Sequence, residues 1–165
     1  MLKINSKIVI NAPKNKEELI NILKDRLSSN KNADLNDIDV SMVTDMSKLF
    51  VGLDPHNIDI SDWDVSNVIY MQSMFYNCEC LQCDVSKWNI SKVKTMSYMF
   101  FGCKNFNCDV SDWDISKCEY MNYMFNRCEK FNSKDLYKWN IANIKSMREM
   151  FTHCYSLKNF PYWYI

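Results

Sequence analysis

Apolar residues return along this chain in a fixed pattern. Val68, Met71, Met74 and Phe75 are followed by Cys78 and Leu81, and the same five-residue shape recurs at 46–50, 71–75, 96–100, 121–125 and 147–151. Successive copies are 25 residues apart three times and then 26. A period in this range marks a repeat architecture, in which each unit buries its apolar face against its neighbours. Within one unit the spacing of three, six and seven residues predicts one face of a short helix. Ser41, Ser66, Ser91 and Ser116 stand where an N-cap is expected, with Ala142 in the fifth copy. Gly52 and Asn77 and their counterparts Gly102, Arg127 and His153 fall where such a helix would end. The alternating stretches 59–63, 84–88 and 109–113 predict strands. Ile60, Val85 and Val110 would point inward, with the aspartates and serines outward. One extra residue between Phe131 and Trp139 predicts a bulge or longer loop, and Pro161 suits the end of a sheet.

Ahead of the repeats, 7–10 is a short apolar run that predicts an edge strand, broken at Pro13. Residues 16–29 predict an amphipathic helix, with Leu19, Leu23 and Leu27 on one face. Glu17 and Glu18 near its start and Lys24 and Arg26 toward its end suit the helix dipole. Residues 1–36 are therefore expected to form a strand-and-helix cap over the first repeat, the alternative being a docking helix for a partner. Residues 37–165 are expected to be the repeat array. Its aromatic end, 160–165, is either a cap or a contact between copies through Phe160, Tyr162, Trp163 and Tyr164.

The 20 basic and 20 acidic residues cancel, so nothing points to nucleic acid. The first seven residues lack the apolar core of a signal peptide, and no stretch approaches the ~18–20 apolar residues of a membrane span. On these grounds the chain reads as soluble and unprocessed. A chain of 165 residues is one domain, long enough to bury about 70% of its unfolded surface.

Trp63-Asp64-Val65-Ser66-Asn67-Val68, then Met71, Met74, Phe75 and Cys78, resembles the repeat of the BspA-type leucine-rich-repeat surface proteins, W-D-V-S-N-V-x-x-M-x-x-M-F-x-x-C. The likeness covers residues 37–163, and 13–19 also looks like the segment that precedes such arrays. It implies an α/β fold: a short right-handed leucine-rich-repeat-like solenoid of about five strand–helix repeats with a parallel sheet and an N-terminal helical cap. It also implies a binding role, often adhesion, at a cell surface or after secretion, with no catalytic residues.

Eight cysteines leave three readings open. Cys78, Cys103, Cys128 and Cys154 share one repeat position, where Leu53 stands in the first copy, which favours buried thiols. Disulfides are the second reading. Zinc held by Cys78, Cys80, Cys83 and Cys108 is the third. Asp59, Asp84 and Asp109 could in principle line up cations, but the glycine-rich turn of calcium-binding repeats is missing. No nucleophile elbow or phosphate loop is present, and His56 and His153 occupy non-equivalent positions. The expected protein is thus not an enzyme and needs no metal or cofactor. It is a protein–protein interaction module whose candidate surface comprises Asp59, Ser61, Asp62, Asp84, Ser86, Lys87, Asp109 and Ser111. The alternative is a structural protein that self-assembles through its ends, as a cell-surface or virion component.

Overall fold

The computed structural model describes residues 11–164. The expected strand at 7–10 lies outside them, as does Ile165. Among the described residues there is one α-helix, α1 (Lys16–Ser29), and one three-residue 3-10 turn, Leu136–Lys138. No strand and no sheet form among them. In place of paired strands, neighbouring repeats are joined by isolated parallel bridges, such as Asp45 to Tyr70, Tyr70 to Thr95 and Thr95 to Tyr120. The expected α/β parallel-sheet solenoid of leucine-rich-repeat type is therefore overturned, and so are the helix and strand assigned to each repeat.

Backbone geometry explains the correction. Each repeat is a succession of tight turns. Val68 N–H donates to the Val65 carbonyl (2.9 Å), Met74 to Met71 (3.2 Å), Cys78 to Phe75 (3.0 Å) and Leu81 to Cys78 (3.1 Å). Ser73 (φ +57°) and Asn77 (φ +58°) are left-handed, and each is the third residue of its turn, the conformation of a type II turn. The same two positions are left-handed in the other copies: Lys48, Tyr98, Tyr123 and Glu149 at the first, Gly52, Gly102, Arg127 and His153 at the second. A right-handed helix cannot run through two such residues. The three-residue spacing of Met71 and Met74 is that of turn ends.

These turns orient the peptide groups. In the rungs 46–52, 71–77, 96–102 and 121–127, alternate N–H groups point toward the next repeat, the last of them toward 147–153. Met71 donates to the Thr95 carbonyl (3.1 Å), Ser73 to Ser97 (2.9 Å), Phe75 to Met99 (2.9 Å) and Asn77 to Phe101 (2.7 Å). Met96, Tyr98, Phe100 and Gly102 repeat this on Tyr120, Asn122, Met124 and Asn126. The result is four columns of peptides, hydrogen-bonded head to tail along the stack.

Beneath the columns lies the core. Phe50, Phe75, Phe100, Phe125 and Phe151 stack in file, at ring separations of 4.8, 5.4, 5.6 and 5.9 Å. Phe106 and Phe131 slot beside them, 4.0 Å from Phe100 and 4.1 Å from Phe125. Met46, Met71, Met74, Met96, Met99, Met121 and Met124 are fully buried. Trp63, Trp88, Trp113 and Trp139 form a further row, and each indole N–H donates to a carbonyl of the preceding repeat at 2.9–3.1 Å.

α1 occupies the range its periodicity predicts. The Asn15 side chain caps it by accepting from the Glu18 N–H (3.0 Å). Leu19, Leu23 and Leu27 face the core, and Lys16 reaches the Ser47 hydroxyl (2.6 Å) beside Asp45. The serines expected to cap helices have another role. Ser41, Ser66, Ser91 and Ser116 each donate their backbone N–H to the side chain of Asp39, Asp64, Asn89 or Asp114 two residues earlier. Ala142 makes the same bond to Asn140, so the missing hydroxyl leaves that turn intact. The extra residue of the fourth repeat is absorbed around the 3-10 turn, where Leu136 is buried. Pro161 marks no sheet end; its carbonyl closes a turn with the Tyr164 N–H (2.9 Å).

Two outcomes test this packing. Met96→Asp is expected to abolish the cooperative thermal transition, because an unpaired charge at a fully buried site costs more than about 4 kcal/mol. A parent-like melt would show that Met96 lies outside the core. Gly52 and Gly102 are both left-handed, so alanine at either costs about 1 kcal/mol. A Cβ at Gly52 meets open space, whereas one at Gly102 runs into the Asn77 carboxamide oxygen. In denaturant titrations, Gly102→Ala is expected to lose more stability than Gly52→Ala.

Candidate functional site

Period-25 stacking places equal chemistry in rows, and one set of rows lines a groove of about 1080 Å³. Asp34, Asp59, Asp84 and Asp109 form its acidic row, one from each successive repeat. Beside them run Asn32, Asn57, Gln82 and Asn107, and the floor is made by Ala33, Ile58, Cys83 and Cys108.

Local turn chemistry fixes the carboxylates. Each aspartate accepts the N–H two residues on: Asn36 at 2.9 Å, Ser61 at 3.1 Å, Ser86 at 2.9 Å and Ser111 at 3.1 Å. This is the Asx turn, in which a short acidic side chain replaces a backbone carbonyl. The following repeat adds a second hold. The Cys108 thiol lies 3.5 Å from Asp84 Oδ1, and the Ser133 hydroxyl donates to Asp109 Oδ1 at 2.7 Å. Hydrogen bonds from the Ser86 hydroxyl and amide keep the Asp84 carboxyl below the usual carboxylate range. The Ser133 hydroxyl, with Ser111, does the same for Asp109. Asp84 and Asp109 thus stay charged at pH values where an ordinary carboxyl begins to protonate.

Of the residues proposed from sequence, Asp59, Ser61, Asp84, Ser86 and Asp109 come together on the groove. Ser111 is buried at 5% exposure. Asp62 and Lys87 are exposed but do not line it. The amide row and Asp34 were missed, although the recurrence of Asn32, Asn57, Gln82 and Asn107 at intervals of 25 is visible in the sequence. At the far end Phe160 and Tyr162 are exposed (53% and 76%), whereas Trp163 packs on Trp139 and Tyr164 on Phe151.

The cysteines are free. The thiols of Cys103, Cys128 and Cys154 lie 2.9–3.0 Å from the carbonyls of Phe75, Phe100 and Phe125, one repeat back. Burial pushes the Cys78 and Cys154 thiols up to about 12 and those of Cys83, Cys103 and Cys128 well up. Among the described residues no three His, Cys, Asp or Glu side chains converge as metal ligands, so Cys78, Cys80, Cys83 and Cys108 are not gathered into a zinc site. Neither histidine lines the groove: His56 lies by Asp54 (3.4 Å) and His153 by the Tyr155 hydroxyl (2.9 Å).

Comparison with known proteins gives a family. The chain belongs to the family described as "Mycoplasma protein of unknown function, DUF285", whose profile matches residues 18–133 and, overlapping, 83–164. The overlapping matches follow from the repeats, since one profile can be laid on the array in two registers. No BspA-type or leucine-rich-repeat family is found, which corrects the resemblance drawn from the repeat motif. No match is found among the curated proteins, and none among the solved structures. No helix among the described residues is long and apolar enough to cross a membrane.

Thiol accessibility tests the geometry around the cysteines. At pH 8 in native buffer, Cys80, which is exposed, is expected to react with an aromatic disulfide reagent within seconds. The buried thiols should follow global unfolding. Several fast thiols in the native protein would refute the buried columns.

Proposed function

We propose that the protein is a non-enzymatic binding module whose groove holds an extended basic segment of a partner protein. The observation that carries this reading is the row Asp34, Asp59, Asp84 and Asp109, at intervals of 25 residues on a single open groove, with Lys130 the one cation lining it among the described residues. A row of fixed negative charges favours a ligand that carries several positive charges along its length. Asx turns and neighbouring hydroxyl donors hold the carboxylates, so little side-chain freedom is lost when a ligand arrives.

The test uses the full chain and a fluorescent lysine-rich dodecapeptide, with a glutamate-rich peptide as control. Asp59, Asp84 and Asp109 are changed together to asparagine. Asparagine keeps the turn acceptor, as Asn89 and Asn140 do for Ser91 and Ala142, so the variant should fold. Exposed ion pairs contribute about 0.2–1 kcal/mol each, so the triple change should weaken binding by roughly tenfold. Binding by the parent should persist as pH falls to 5. It should then fail below the usual carboxylate range, because Asp84 and Asp109 have lowered pKa values and lose charge only there. Equal affinity of the parent and the folded triple variant would refute the groove as the binding surface.

A further inference from the structure

Along the groove an amide stands beside each aspartate, two residues earlier in sequence, as Asn32 does for Asp34 and Gln82 for Asp84. The aspartates are held by their turns and, at Asp84 and Asp109, by the following repeat. The amides are held on one side at most. Asn32 Oδ1 accepts the Asn57 N–H (3.2 Å), and Asn107 Oδ1 accepts the Asn132 N–H (3.0 Å). Those two bonds identify the oxygen of each carboxamide, because only oxygen can accept there. The nitrogen, with its two donors, reaches no acceptor among the described residues. The side chains of Asn57 and Gln82 make no hydrogen bond among them either. All four amides are exposed. The groove thus carries two unlike rows, one of fixed negative charges and one of N–H donors that no protein group answers.

We infer that the amide row binds the main chain of the partner segment, its carboxamide N–H groups donating to backbone carbonyls while the aspartate row takes the basic side chains. The inference rests on the binding role proposed for the groove and goes past it, because charge alone does not distinguish a polypeptide from any other polycation. A linear polyamine answers the carboxylates equally well. Its protonated amines are donors only, so against the amide row it sets donor to donor. An extended polypeptide carries a carbonyl at every residue and returns to the same face every second residue. One such segment can therefore offer cations to one row and acceptors to the other. In this division the acidic row attracts and the amide row selects. Asn57 and Gln82 show the selection most directly, since their side chains have no bond within the protein to lose.

Two tetracations of matched charge separate the rows in calorimetric titrations of the full chain: spermine, and a capped octapeptide of alternating lysine and serine. At one ionic strength the parent should bind the peptide roughly tenfold more tightly than spermine. The double variant Asn57→Ala with Gln82→Met removes two donors and no charge. It should lose about tenfold in peptide affinity and change spermine affinity less than about twofold. Changing Asp59, Asp84 and Asp109 together to asparagine should instead weaken both ligands alike. Spermine bound by the parent as tightly as the peptide overturns the inference and leaves the acidic row standing as a plain polycation site. So does a folded amide variant that keeps parent-like peptide affinity, or one that loses both ligands equally. Failure of the parent to bind either ligand overturns the binding role itself, and this inference with it. If the amide variant fails to fold, the comparison of the two ligands on the parent still decides.

Discussion

The rest of the structure depends on peptide groups hydrogen-bonded in file. Met46 donates to Tyr70, Met71 to Thr95, Met96 to Tyr120 and Met121 to Ser146, so each peptide accepts from one repeat and donates to the next. Bonds chained in this way polarise one another, much as they do in a helix. Here the chain of bonds runs between repeats rather than along the backbone. No repeat can satisfy its own rung, which is why the unit of stability is the pair of neighbours. The alignment requires left-handed residues, and that strain, about 1–2 kcal/mol at each non-glycine site, is borne because the rungs overdetermine it. Tyr98 and Tyr123 recover part of it, with left-handed backbones and rings stacked 4.8 Å apart.

Side chains from one repeat reach into the next along with the backbone, and they do so in the opposite sense. Indole N–H groups and thiols donate backward, to Ile60 or Phe75, while the rung amides donate forward. Two backbone series also run backward: Lys94 donates to Ile69, and Asn105 to Glu79. The cysteine column is therefore more than small apolar filling. Its sulfur answers a carbonyl that would otherwise have only its turn bond, and burial keeps the thiol protonated so that it can donate.

This accounts for what could be read from the sequence. The period of 25 and the identity of the core were legible, because burial follows apolar recurrence whatever the backbone does. Met71, Met74, Phe75, Cys78 and Leu81 are all buried. The helix at 16–29 was legible because three leucines at a spacing of four have no competing reading over fourteen residues. Inside the repeat the same logic misled. An apolar pair three apart fits a helix and also fits the two ends of a type II turn, and only the φ of the residue between them distinguishes the two. Ser73, Lys48 and Tyr98 are not residue types that announce a left-handed backbone, and the alternation at 59–63 belongs to an Asx turn rather than a strand. Aspartate and serine two apart was the available clue, and it also relocated the cap from Ser66 to Asp64.

Groove and core follow from one register. Shifting a repeat by one residue would remove the donor that each aspartate receives from its own turn and also the contact it receives from the next repeat, as Asp109 receives Ser133. The carboxylates are thus positioned from two sides by the same stacking that aligns the phenylalanines. The order of such a surface comes from hydrogen bonds at the base of each side chain rather than from packing. Side chains held in this way have little conformational freedom left to lose to a ligand. For the basic ligand proposed above, specificity would be set by how its charges are spaced against a ruler of one repeat.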